Sequence, residues 1–216
     1  MSLFILNNEI KFPPVHLAEP DGLLAIGGDL SQERLLHAYR NGIFPWYEGE
    51  HILWWSPDPR FVLYPEEFKL SGRIKKLLQQ PAFRFTINYD FSAVIRHCKT
   101  VKRAGQEGTW ITDEVEKAYT RLYANGYAHS AEVWQKDKLV GGLYGIRIGK
   151  VFFGESMFSL VTDASRYAFT CYVQQLIKEG VQLIDCQVYT SYLESMGARM
   201  IPRARFIQEI QNLVSR

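Results

Sequence analysis

Three strand-like runs stand in a row between Ala128 and Phe158, and their connections leave little choice in how they pair. They read "AHSAEVWQ", "KLVGGLYGIRI" and "KVFFGESMF", joined through "KD" and "GK". Connections that short are tight hairpin turns, so the runs form an antiparallel meander. A long amphipathic segment over residues 163–179 follows, closed by Gly180, and then a further strand, "VQLIDCQVYT". A helix placed between two strands is a crossover, which returns the chain parallel to the strand it left. The sheet is therefore mixed and the class is α/β.

The flanking segments extend this pattern. Ser71 caps "GRIKKLLQQ", "FRFTIN" alternates as a strand, and Asp90 caps "FSAVIRHCK". Thr112, with Asp113 and Glu114 behind it, opens a helix carrying Val115, Ala118, Tyr119, Leu122 and Tyr123 at helical spacing. Beyond the crossover strand come a short helix, a strand around Ala198–Ile201 and a last helix begun by Pro202. From about residue 83 the order is β, α, α, β, β, β, α, β, α, β, α. It resembles the N-acetyltransferase-like fold, in which acyl groups pass to amines at a splayed point of the sheet.

The first sixty residues differ in texture. "FPPVHLAEPDGLLAIGGDLS" carries three Pro and three Gly, and Ser31 then caps a short helix with Leu35, Leu36 and Tyr39 on one face. "GIFPWYEGEHILWWSPDPRFVLYP" packs three Trp between prolines and reads as irregular loop plus two short strands. The division expected is a small N-terminal α/β domain with a Trp-rich loop over residues 1–64, and an N-acetyltransferase-like domain over 65–216.

Three scattered cysteines without a Cys-x-x-Cys argue against a disulfide framework and against zinc, and fit a reducing cytosol. The first residues carry no basic leader, and no uncharged run approaches a membrane span, so a soluble cytoplasmic protein is expected. Net charge is only +2, but residues 69–103 hold nine Lys/Arg against Asp90 alone. One basic face on an otherwise acidic chain suggests a polyanionic partner; a solvated helical face explains the pattern equally well.

Asp185 and Gln187 interrupt the apolar strand "VQLIDCQVYT". Alternation puts both on one face with Cys186 opposite. An ionised carboxylate inside a sheet is costly unless paired. Glu155, in "FFGESMFS", is a second acid in an apolar run. Structural hydrogen bonds or ion pairs account for such acids as readily as function does.

Taken together, "EPDGLLAIGGDLS", "NGIFPWY", "LWWSPDPR", "EGTWIT", "VGGLYG", "FFGESMFS", "LIDCQV" and "GAR.IPR" resemble the bacterial leucyl/phenylalanyl-tRNA–protein transferase family. The motifs span about residues 19 to 203 in the right order. The resemblance implies transfer of Leu or Phe, with Met as a further candidate, from aminoacyl-tRNA to the N-terminal amine of proteins beginning with Lys or Arg, which marks them for degradation. An aminoacyl ester is already activated, so neither a cofactor nor a metal is implied, and the sequence carries no P-loop and no metal-ligand cluster.

In family terms Asp185 and Gln187 are the catalytic pair, with Gln187 on the attacking amine and Asp185 orienting it. Glu155 joins Asp185 in binding the acceptor's positive charge. By motif match Leu143, Phe152, Met157 and Ile184 line the aminoacyl pocket, although plain core packing fits all four. Ile184 has the opposite parity to Asp185, so both reach one site only at a strand end or twist. Trp46 and Trp110, with Tyr39 and Tyr119 near them, are the candidates for stacking on the terminal adenosine. Arg73, Lys75, Lys76 and Arg84 are the candidates for tRNA phosphates. A monomer is expected, since one chain holds every part of the site.

Two other readings compete. An acyl-CoA N-acetyltransferase needs a glycine-bearing turn before the crossover helix, where this chain has "FSLVTDASRY". A non-catalytic RNA-binding module leaves Glu155, Asp185 and Gln187 without a purpose.

Overall fold

A computed structural model of the chain describes residues 3–79, 83–101 and 109–215. The first 55 residues build a four-stranded sheet from β1 (Phe4–Leu6), β2 (Leu23–Gly27), β3 (Phe44–Pro45) and β4 (Leu53–Trp55), in the order β1-β2-β4-β3. Helix α1 (Gln32–Arg40) joins β2 to β3. The Ser31 hydroxyl accepts from Arg34 N–H at its start, and Gly42 leaves it at φ +71°. Its apolar face, Leu35, Leu36 and Tyr39, is buried as its spacing predicts. The Trp-rich stretch thus yields three strands, not two: β3, β4 and β5 (Arg60–Leu63).

Strand β5 lies before residue 64 yet hydrogen-bonds inside the second sheet, between the last two strands in chain order. Sheet membership thus changes at the Pro57–Pro59 turn, with β1 to β4 in one sheet and β5 in the other. Next come α2 (Gly72–Leu78), β6 (Arg84–Ile87), α3 (Phe91–Thr100), α4 (Asp113–Ala124), β7 (Ala128–Gln135), β8 (Lys138–Ile148) and β9 (Val151–Ser159). The chain ends with α5 (Ala164–Lys178), β10 (Leu183–Gln187), α6 (Ser191–Ser195), β11 (Arg199–Ile201) and α7 (Arg203–Val214). Ser71, Asp90 and Thr112 cap α2, α3 and α4 through their side chains.

The larger sheet runs β11-β5-β10-β9-β8-β7-β6. The β7–β8–β9 meander is antiparallel and β10 returns parallel to β9, as the order of elements predicts. Helices cover both faces. A side chain on Gly141 would strike Ala164 of α5, and one on neighbouring Gly142 would meet Val94 of α3. Successive strand positions face opposite ways, so α5 and α3 lie on opposite faces. Gly141 is small because α5 sits tight against it, whereas Gly142 and Gly145 are crowded by the neighbouring strands at the Ala131 and Phe153 carbonyls.

That geometry corrects the expectation of one basic face. Helix α2 packs beside α5 while α3 lies across the sheet, so residues 69–103 are divided between two sides. Lys99 is further paired with Asp113 and Glu116, and Lys102 and Arg103 lie outside the described residues. Among the described residues, no helix is long and apolar enough to cross a membrane.

Candidate active site

Strands β9 and β10 pair only as far as Phe153 and Asp185. Past that point they part, and a cavity of ≈ 490 Å³ opens between them. Both strands bulge where they separate. On β9, Tyr144 faces Ser156 and Gly145 faces Gly154, which leaves Glu155 as the extra residue. On β10 the register against β5 shifts between Asp185 and Gln187, which leaves Cys186 unpaired. A bulge re-aims the side chains beside it. Here two of them turn an acid and an amide toward one cleft.

The second bulge is strained. Gln187 sits at φ +64°, and Val188 N–H donates to the Cys186 carbonyl at 2.8 Å, closing a three-residue turn around Gln187. Such backbone costs about 1–3 kcal/mol in a residue with a Cβ and survives only where its surroundings impose it. Asp185 supplies that constraint, since its Oδ1 accepts from Gln187 N–H at 2.9 Å. Arg60 in turn fixes Asp185, with Nε donating to Oδ1 at 2.8 Å and Nη2 to Oδ2 at 2.7 Å. Both side chains are buried, and the guanidinium lies between the rings of Phe44 and Phe206 at 4.7 and 4.6 Å. Bidentate pairing of this kind is what makes a buried carboxylate tolerable.

Glu155 is held differently. Tyr39 donates to its Oε1 at 2.7 Å, the Tyr119 hydroxyl is hydrogen-bonded to its Oε2 at 2.9 Å, and Gln187 Nε2 donates to Oε1 at 3.0 Å. Burial pushes its acid up to about 7, with the Asp185 charge adding to the rise while the hydrogen bonds to Tyr39, Tyr119 and Gln187 oppose it. The side chain keeps a partly exposed edge where it lines the cavity, but enough protein surrounds the carboxyl for desolvation to dominate.

Leu143, Phe152, Met157 and Ile184 all line this cavity, together with Glu155, Asp185, Gln187, Trp46 and Trp110. Ile184 and Asp185 do so despite opposite parity, because the strand ends and bulges there. Trp46 is 39% exposed at the mouth, while Trp110 is 6% exposed and shows only an edge. Tyr39 and Tyr119 do not belong with them. Both are completely buried with their hydroxyls on Glu155, so neither offers a ring face to a base. Cys186, opposite Asp185 and Gln187 by alternation, packs partly against the core and also lines the cavity at the bulge, and burial pushes its thiol well up.

The phosphate candidates fare unevenly. Lys75 and Lys76 are exposed on α2, Arg73 is paired with Asp163 at 2.6 Å, and Arg84 lies over Trp134 at 5.1 Å. Arg60 and Phe169, which also lines the cavity, escaped the sequence reading. The signal for Arg60 is a lone basic residue heading the apolar run "RFVL".

Comparison with known proteins places this geometry. The profile of the family described as leucyl/phenylalanyl-tRNA protein transferase matches residues 62–211, and that of its N-terminal domain matches residues 28–58. The chain belongs to this family. A relative in Syntrophobacter fumaroxidans, named leucyl/phenylalanyl-tRNA–protein transferase, is 55% identical over 208 residues, covering 96% of this chain and 89% of its own. One of the same name in Christiangramia forsetii is 53% identical over 209 residues, covering 95% and 99%. FemX, a solved structure only 10% identical, superposes with a TM-score of 0.51 over 83% of this chain and 71% of its own. It shares the fold. The chain is thus an aminoacyltransferase whose larger mixed sheet shares the FemX fold, with its cavity at the point where that sheet splays.

Proposed function

We propose that the cleft moves Leu or Phe from the 3′ ester of aminoacyl-tRNA to the α-amine of a protein beginning with Lys or Arg, marking it for degradation. The observation that carries this reading is the meeting, in one cavity, of an apolar wall and a polar end formed by Glu155 and Gln187. Leu143, Phe152, Met157 and Ile184 receive the aminoacyl side chain, and the flexible Met157 suits both a branched and a flat one. The terminal adenosine stacks on Trp46, with the edge of Trp110 beside it. Lys75 and Lys76, with Arg73 and Arg84, contact phosphates in a sequence-independent, salt-sensitive way.

Attack on an ester needs a neutral amine held in line, a steadied oxyanion and a proton delivered to the departing ribose hydroxyl. Gln187 orients the amine. Asp185 has both oxygens on Arg60, so it acts through Gln187, whose backbone it fixes. Glu155 takes the acceptor's positive charge. The acyl-CoA alternative loses ground at the start of α5. Asp163, paired with Arg73 and 3.9 Å from Arg166, puts a carboxylate where a pyrophosphate would need open backbone N–H groups.

The test is a transfer assay with Leu-, Phe- and Met-tRNA as donors and peptides starting with Arg, Lys or Ala as acceptors. The expected product is a new peptide bond with Leu or Phe on the Arg and Lys peptides. Equal transfer to the Ala peptide would remove the role given to Glu155, and no transfer from either donor at low salt would remove the function.

A further inference from the structure

The hydroxyls of Tyr39 and Tyr119 lie 2.5 Å apart, and each also contacts a different oxygen of Glu155, at 2.7 and 2.9 Å. These three groups therefore form a closed triangle of oxygen–oxygen contacts. Each hydroxyl carries one hydrogen. With Glu155 ionised, two hydrogens serve three contacts, and one side of the triangle sets lone pairs against each other in a buried site. The shortest contact, between the two tyrosines, would be the empty one if both donated to the carboxylate. With Glu155 protonated, three hydrogens serve three contacts. Oε2–H donates to Tyr119, Tyr119 donates to Tyr39, and Tyr39 donates to Oε1, which also accepts from Gln187 Nε2.

We propose that Glu155 is a neutral carboxylic acid in the free enzyme, closing a ring of hydrogen bonds with Tyr39 and Tyr119, and that docking of the acceptor's cation expels this proton. The O–H bond of Glu155 breaks, its electron pair stays on the carboxylate, and the proton passes to solvent. The coupling rests on the acceptor reading given above. It changes that reading in one respect: the acid that receives the cation is not ionised in waiting but becomes so on binding.

The surroundings agree. Tyr39 reaches Glu155 from α1, Tyr119 from α4, and Asp185 and Gln187 from β10, with Tyr144 of β8 close to Tyr119. Arg60 of β5 is committed to Asp185, and among the described residues no cationic side chain is bonded to Glu155. Burial and the neighbouring carboxylate both favour the neutral form, and the acid at about 7 titrates within the working range. Ionisation removes a hydrogen from the ring, and an arriving ammonium or guanidinium supplies donors in its place.

The experiment is infrared difference spectroscopy on the whole protein, following the carbonyl stretch of a protonated carboxyl. The free protein at pH 6 should show a band that is absent from Glu155→Gln and absent at pH 9. The amide of that variant carries both a donor and an acceptor, so it can close the same ring. Tyr39→Phe, which removes one hydrogen bond to the acid carbonyl, should shift the band and gives a second assignment should the first variant not fold. Addition of a C-terminally amidated, acid-free peptide starting with Arg should abolish the band at pH 6. Binding would be verified by calorimetry in the same samples. No Glu155 band in the free protein overturns the proposal, and a band that persists with peptide bound overturns the coupling. A band that is present while no peptide binds at any pH refutes the acceptor reading and the coupling that depends on it, while the protonated ring stands.

Discussion

Arg60→Met is the substitution that asks most of this structure. Methionine keeps an unbranched apolar stem between Phe44 and Phe206 but removes the charge that both Asp185 oxygens accept from. Asp185 is completely buried, so water cannot replace the lost partner. Breaking one side of a buried ion pair costs about 3–5 kcal/mol, and losing the guanidinium's contact with two rings adds about 1 kcal/mol. A total of about 4–6 kcal/mol is a large part of the 5–15 kcal/mol that holds an ordinary domain together. Adding Asp185→Asn removes the stranded charge and should recover about 2–3 kcal/mol, although the pair stays short of wild type. Urea titrations of the wild type, both single variants and the double variant close the cycle. The same four proteins, assayed for transfer, separate the two roles of Asp185. If it acts by fixing the turn at Gln187, the double variant regains stability without regaining turnover, since the charge-assisted bond to Gln187 N–H is weakened. A cost below about 1.5 kcal/mol for Arg60→Met, or no coupling in the cycle, would refute the reasoning.

Three further outcomes are expected. The Glu155 acid is raised from 4.5 to about 7 in the fold, so its contribution to stability is complete below pH 4.5 and is lost as pH climbs to 7. Wild type should therefore lose about 2 kcal/mol relative to Glu155→Gln between pH 5 and pH 8, a little under the full linkage because the side chain is partly exposed; parallel denaturation curves at the two pH values would be the contrary result. Met157→Ala enlarges the apolar wall and should lower kcat/KM for Leu and Phe transfer about tenfold, as one to two methylenes of pocket contact are worth about 1–3 kcal/mol; an unaltered ratio would make Met157 ordinary packing. Lys75→Glu with Lys76→Glu should weaken tRNA binding and flatten its dependence on log salt by about 1.5–2, whereas an unchanged slope places the RNA elsewhere.

Much of the architecture was legible because it follows from short-range rules. The two-residue turns around Lys136 and Gly149 force the meander, and the crossover helix closed by Gly180 forces the parallel strand, so the element order after residue 83 came out as read. Strand membership across long distances was not legible. Nothing in "RFVL" announces that β5 pairs with strands more than a hundred residues later. Leu143, Phe152, Met157 and Ile184, singled out by motif, do line one cavity, but the burial of the tyrosines was not legible. Helical spacing marks Tyr39 and Tyr119 as inward-facing, and only the coordinates show that inward means toward Glu155 instead of toward a nucleotide. Periodicity also assumes an unbroken pleat, and at Glu155 and Cys186 the pleat is broken. Asp185 and Gln187 reached one cleft by way of a bulge, not by alternation alone.

The tyrosine–glutamate ring has a bearing on how this chemistry can be inherited. Tyr39 stands on the helix of the small N-terminal unit, Tyr119 and Glu155 on the larger one, and the two hydroxyls touch across the seam. The larger sheet consequently does not hold this cluster on its own. A fragment beginning after Pro59 would keep Asp185, Gln187 and the apolar wall, yet it would leave Glu155 without one of its oxygen partners and open the cleft where Trp46 now stands. Recombination that exchanged the N-terminal unit between relatives would have to carry α1 in register with α4. A change at either tyrosine would remove a contact that the other makes across the seam.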